Sequence, residues 1–98
     1  MTDQTAPHVT PERVNELLAA LTYETVRMPN SSVTVAEARL PGGFVVAIGY
    51  SGYVSPANFD PEAGAKRAIG HARQKAEEAL WRYEGYALAR ELVQQAGN

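Results

Sequence analysis

Few residues of this sequence stand in a pattern that could do chemistry, and the most suggestive are Asn58 and Phe59, adjacent in the stretch Ser55-Pro56-Ala57-Asn58-Phe59-Asp60. An amide reads donor and acceptor edges while a ring stacks on a planar group, so the pair suits a ligand with a base-like plane. Asn58 also reads as an Asx turn, which would make it purely structural. Arg27, on a strand, and Arg67, near the start of a helix, are the cations placed to complete a ligand-binding pocket and to pair an anionic group. On the alternative reading both are simply solvated.

Catalytic machinery is not expected. His8 and His71 each lack a second histidine or a carboxylate at the spacing a metal site uses, so no metal is expected and both read as surface residues. Ser31, Ser32, Ser51 and Ser55 fall in turns or strand ends without a nucleophile elbow or a neighbouring base. Gly42-Gly43 precedes a strand, whereas a phosphate loop needs glycine between a strand and a helix start. Asp60 and Glu62 already occupy the positive end of their helix, so capping is preferred there over anion binding. The expectation is therefore a protein that is not an enzyme and carries no cofactor.

Composition is consistent with that picture. The 98 residues suffice for one domain, and 45% hydrophobic with 20% charged residues is ordinary for a globular chain. No apolar run approaches the roughly 20 residues that span a bilayer. A polar start without a basic, then apolar, leader implies no secretory signal, and the absence of cysteine removes disulfides and thiolate metal sites. These features suggest a cytoplasmic setting. A net charge of −2 argues against nucleic acid as the main partner, yet leaves room for a small anion held by arginines.

The elements that must position these residues are legible. Thr10-Pro11-Glu12 is a helix start, with a hydroxyl cap, proline at the first helical position and an acid in the first turn. Val14, Leu17, Leu18 and Leu21 then recur at helical spacing, predicting a short helix over residues 11 to about 21. β-branched and aromatic residues over 23–28, a turn at Pro29-Asn30-Ser31-Ser32, a run over 33–40, the turn Pro41-Gly42-Gly43 and a run over 44–50 predict a three-stranded antiparallel meander. In the third strand, alternation assigns Phe44, Val46, Ile48 and Tyr50 to the core face and leaves Ala47 and Gly49 on the other, where another backbone could approach closely.

Asp60 caps the long helix that begins at Pro61, with Phe59 as a staple whose partner position is Gly64. Ala65, Ala68, Ile69, Ala72, Ala76, Ala79, Tyr83 and Ala87 form one stripe, a seam of small side chains that lets the helix sit close to the sheet. Glu62 with Lys66, Arg73 with Glu77, and Glu78 with Arg82 are spaced as surface ion pairs worth roughly 0.2–0.5 kcal/mol each. Trp81, Leu88 and Leu92 make a second apolar patch about 160° away. Either the helix bends near Gly85 so that the patch joins the core, or the patch stays exposed as an interface. The interface is the reading preferred, because Gly85 lowers helix propensity by only about 1 kcal/mol and no proline breaks the helix. The expected fold is α+β, a short N-terminal helix, the meander and a long C-terminal helix packed on the sheet. It forms a single domain over residues 10–98 behind a flexible tail over residues 1–9.

The segments Thr10-Pro11-Glu12-Arg13-Val14, Leu40-Pro41-Gly42-Gly43-Phe44-Val45-Val46, Ser55-Pro56-Ala57-Asn58-Phe59-Asp60, Leu80-Trp81 and Glu84-Gly85-Tyr86-Ala87-Leu88 resemble a family of small tailed-phage proteins. That family is a conserved early-region gene product shared by a coliphage and a Shigella phage, and the likeness runs from Thr10 to Leu92. Relatives are shorter between Asp60 and Trp81 and often have proline where this chain has Arg82. The comparison therefore implies a long helix extended by roughly one turn of 3.6 residues and continuous through this point.

Some relatives resemble Thoeris anti-defence proteins that sequester a cyclic ADP-ribose signal between subunits without chemistry, and those carry a further C-terminal helical hairpin beyond the point corresponding to Asn98. The resemblance thus implies a phage or prophage accessory protein in the cytoplasm of an infected or lysogenic bacterium. It would be a homo-oligomer, a dimer or larger, that binds a small cyclic nucleotide, with neither membrane nor nucleic acid as partner. The competing expectation is a protein-interaction module that inhibits a host or defence protein through Trp81, Leu88 and Leu92.

Overall fold

The computed structural model describes residues 8–53 and 56–97. Of the expected N-terminal tail only His8 and Val9 fall within that range, and Ser55 lies outside it. Thr10 caps α1 (Pro11–Ala20), its hydroxyl accepting the Arg13 N–H at 3.1 Å, and Pro11 supplies the pre-set first position. Val14 and Leu18 bury the inner stripe of this helix.

The chain enters β1 (Thr22–Arg27), turns back through β2 (Thr34–Arg39) and again through β3 (Val45–Ser51), giving an antiparallel sheet ordered β1-β2-β3. The β2–β3 hairpin depends on Gly42 and Gly43, at φ 96° and 97°, a region that side chains disfavour. A 3-10 turn, Pro56–Asn58, then leads to α2 (Pro61–Ala96), whose 36 residues run unbroken through Gly85. Asp60 caps α2 through one carboxylate oxygen that accepts from the N–H groups of Glu62, at 3.0 Å, and Ala63, at 3.3 Å.

The sheet packs on α2 with the face opposite to the one alternation assigns. Cross-strand partners share a face, and the register pairs Thr34 with Ser51, Ala36 with Gly49 and Ala38 with Ala47. Ala36 and Ala38 are fully buried and Gly49 is buried with them, whereas Ile48 and Tyr50 are half exposed or more on the outer face. Phe44 is exposed as well, its ring edge-on to Tyr83. Val46 alone of the expected core set is buried, because a register shift at Ala38/Arg39 makes it the extra residue of a bulge.

Close approach decides the matter. A Cβ on Gly49 would lie 2.2 Å from the Ala72 nitrogen and 2.7 Å from the Ala68 carbonyl oxygen, so the large side chains of β3 must face away. Ala68, Ala72, Ala76 and Ala79 meet this surface from the helix side, as the seam predicts.

At 1.5 Å per residue α2 is about 54 Å long, whereas six or seven strand residues at about 3.3 Å span only some 20 Å. The helix therefore overhangs the sheet. Leu80, 2% exposed, marks the end of the covered part. Beyond it α1 packs along one side of α2, with Arg13 Nε bonded to Glu84 at 3.1 Å and Arg13 Nη1 to Glu16 at 3.1 Å. The three ion pairs expected on the helix surface do not close, and the pairs that form among the described residues are these two and Glu37 with Arg39.

Candidate functional site

At the N-terminal end of α2 the structure gathers Arg27, Phe59 and Arg67 around a residue that sequence reasoning did not single out, Tyr53. The Arg27 guanidinium carbon stands 3.9 Å from the centre of the Phe59 ring. Phe59 meets Tyr53 edge to face, with centroids 5.7 Å apart, and Arg67 approaches Tyr53 at 5.4 Å. Along this ridge two rings in contact are thus flanked by a cation at each end, an arrangement stabilised by the ring quadrupole.

Local chemistry fixes each member. Arg27 ends β1, and its Nε donates to the Ser31 carbonyl at 2.7 Å, which anchors the guanidinium without using its two terminal amino groups. Ser31 in turn accepts the Val33 N–H through its hydroxyl, tightening the β1–β2 turn. The Tyr53 carbonyl accepts from the Ser32 hydroxyl at 2.7 Å, holding the loop after β3 against the same turn. Gly64, the weak staple partner in the sequence, lies beneath both rings. A Cβ there would make ordinary contact with Phe59, at 3.6 Å, and Tyr53, at 3.7 Å, and would crowd only the Thr34 hydroxyl oxygen, at 3.1 Å.

Beside the ridge lies a shallow depression of about 210 Å³ lined by Arg27, Thr34, Phe59 and Ala65 among others. Pockets that enclose a drug-sized molecule run from about 300 Å³ upward, so this is the floor of a site rather than a complete one. Asn58 is exposed on the 3-10 turn next to Phe59, outside that lining. Cations and rings gathered in this way suit a planar, anionic group. Only the clustering of arginines with aromatics in loops could have pointed to Tyr53.

His71, expected as a surface residue, instead meets the free edge of β3. Its Nδ1 lies 3.1 Å from the Tyr50 nitrogen and 3.2 Å from the Tyr50 carbonyl oxygen, and its ring is edge-on to Tyr50 at 5.0 Å. Histidine here caps an otherwise open strand edge.

The patch read as an interface is spread over two surroundings. Trp81 and Leu92 are just over a third exposed, whereas Leu88 is half-buried in a 240 Å³ groove between α2 and the start of α1 that also includes Thr10 and the Arg13–Glu84 pair. Hydrogen bonds to Glu84 first and Glu16 second raise the Arg13 pKa above its ordinary value.

Among the described residues no helix is long and apolar enough to cross a membrane, and no three acidic, histidine or cysteine side chains gather as a metal site. No curated protein and no solved structure gives a match to the chain. The model of the phage protein (N4 Gp49/phage Sf6 gene 66) family matches residues 9–92, which spans α1, the whole sheet and nearly all of α2, and the chain belongs to that family.

Proposed function

We propose that this phage protein acts by binding rather than by chemistry, and that its ligand is a small anionic nucleotide signal of the cyclic ADP-ribose type, held to blunt a host defence in the bacterial cytoplasm. The observation that carries the reading is the ridge of Arg27, Phe59, Tyr53 and Arg67, which brings two cations and two aromatic rings together, each ring in contact with one cation that a ligand would share or displace. Phosphate takes the guanidinium groups and a base takes a ring, with Asn58 beside them for edge recognition. The small depression fits a ligand completed by a second surface.

Calorimetric titration with cyclic ADP-ribose isomers and cyclic dinucleotides tests the proposal. Micromolar binding to one of them, weakened at least about tenfold by Phe59→Ala or Arg27→Ala, supports it, since losing a stacked ring or a charged pair costs roughly 1–3 kcal/mol. No heat with any of them at micromolar protein sinks it.

The groove beside Leu88, flanked by the part-exposed Trp81 and Leu92, favours a second reading, a module that engages a host or defence protein. Capture of one specific host protein that is lost with Trp81→Ala, together with silent titrations, would select this reading over the first.

A further inference from the structure

The stripe that α2 turns to the sheet does not end where the sheet does. Ala72, Ala79, Tyr86 and Val93 recur every seven residues and drift by about 20° per step, so the stripe turns by about 60° from Ala72 to Val93 and stays on the side of α2 that faces the sheet layer. Ala72 is fully buried and Ala79 is 4% exposed, whereas Tyr86 is 66% and Val93 71% exposed. Tyr86, Ala89, Arg90 and Val93 line an open trough of about 280 Å³. The overhang thus presents a prepared face to a layer that this chain does not supply.

The sheet has the converse problem. Its outer face carries the cross-strand rows Val26–Val35–Tyr50 and Glu24–Glu37–Ile48, with Val26 60%, Ile48 50% and Tyr50 59% exposed. α1 packs on α2 and leaves that face open. Glu24 and Glu37 stand directly opposite each other, an unfavourable pairing that Arg39 relieves through Glu37. The overhang stripe is flanked by Arg82 and Arg90, the latter stacked on Tyr86 at 5.9 Å. An apolar sheet face that carries Glu24 beyond the Glu37–Arg39 pair and an apolar helix stripe flanked by arginines are complementary.

We infer that the occupant of both surfaces is a second copy of this chain, in a two-fold dimer in which the overhang of each α2 lies across the outer sheet face of the other. A two-fold axis normal to α2, in the plane of the sheet and beyond the β2–β3 hairpin, sets the two sheets end to end in one layer. It places one helix below that layer and the other above it. The outer face of each sheet then looks toward the stripe of the partner overhang. Both surfaces are satisfied at once, and the interface is isologous and closed.

Lengths agree, since the 16 residues from Trp81 to Ala96 extend about 24 Å and the strands about 20 Å. Each subunit contributes a sheet face and a helix stripe, a flat footprint on the order of 500 Å² before side chains interdigitate. That is the scale of the about 800 Å² of accessible surface per partner in a stable dimer.

The pairing is helix on sheet, which separates it from helix on helix and from sheet on sheet, and it does not depend on whether the Arg27–Phe59 ridge binds a ligand. Sedimentation at about 10–100 µM of the full chain, Val93→Glu, Ile48→Lys and an equimolar mixture of the two tests it, with circular dichroism to show that each variant keeps its helix content. The wild type is expected to be a dimer, and each variant to dissociate at least about tenfold more readily, as a buried charge at an interface centre costs more than 1 kcal/mol.

The mixture is expected to regain a dimer of one chain of each kind, because the sound overhang of Ile48→Lys can lie on the sound sheet of Val93→Glu. If either variant unfolds, Val93→Ser and Ile48→Thr replace them with the same ordering expected. A monomeric wild type, a variant that dimerises like the wild type, or a mixture without recovery would each overturn the inference.

Discussion

The two halves of α2 carry one stripe in two surroundings. From Pro61 to Leu80 the stripe is alanine against alanine and glycine, buried so closely that Gly49 cannot gain a methyl group. From Trp81 onward the same azimuth changes to tyrosine and valine and stands in the open. Small residues suit a backbone that is already in place, whereas large ones suit a surface that arrives from outside, because aromatic and branched side chains bury more area per contact. The stripe of the first half is closed by folding, and in the dimer we infer the stripe of the second half is closed by association.

The comparison is broken most severely at the close approach. Gly49→Ala puts a methyl group into two backbone atoms that cannot yield separately, so a loss of about 3 kcal/mol or more is expected in urea denaturation. Asp60→Ala removes the acceptor for two N–H groups at the start of the covered half and should cost about 1 kcal/mol. His71→Ala uncaps the β3 edge at Tyr50 and should cost a similar or slightly smaller amount, about 0.5–1 kcal/mol, with a greater tendency to aggregate. Val93→Ser in the overhang should change stability by less than about 0.5 kcal/mol when measured under dilute, monomeric conditions. A loss at Val93 as large as at Gly49 would erase the distinction between the halves.

Much of the fold could be read from residue types. Thr10-Pro11 and Asp60-Pro61 announce their helices through capping chemistry that acts within a few residues, and Pro41-Gly42-Gly43 announces the hairpin through φ. The alanine seam follows from periodicity, whereas a bend at Gly85 was left open by the residue types and the helix runs unbroken through it. The faces of β3 did not, for two physical reasons. A bulge at Ala38/Arg39 interrupts strict alternation and carries Val46 inward, and the rule that large apolar residues go inside fails where a helix must sit close to a sheet.

At the candidate site, Arg27 and Phe59 were visible as residue types and the structure stacks them. Tyr53 was missed because its place depends on the loop after β3 being tied to Ser32, a contact between residues 21 positions apart. The role of His71 was missed for the same reason, since its partner Tyr50 is also 21 positions away.

Hydrogen exchange along α2 at low and high protein concentration tests the division most directly. Beyond Trp81 α2 has tertiary support on one side only, from α1, and a helix so thinly supported is marginal in water, so its amides should exchange faster than those of the covered half in dilute protein. With rising concentration, protection should grow in residues 83–95, together with slower exchange along β1 and β3, while residues 64–79 remain protected throughout. Protection of both halves that is equal and independent of concentration would contradict the account.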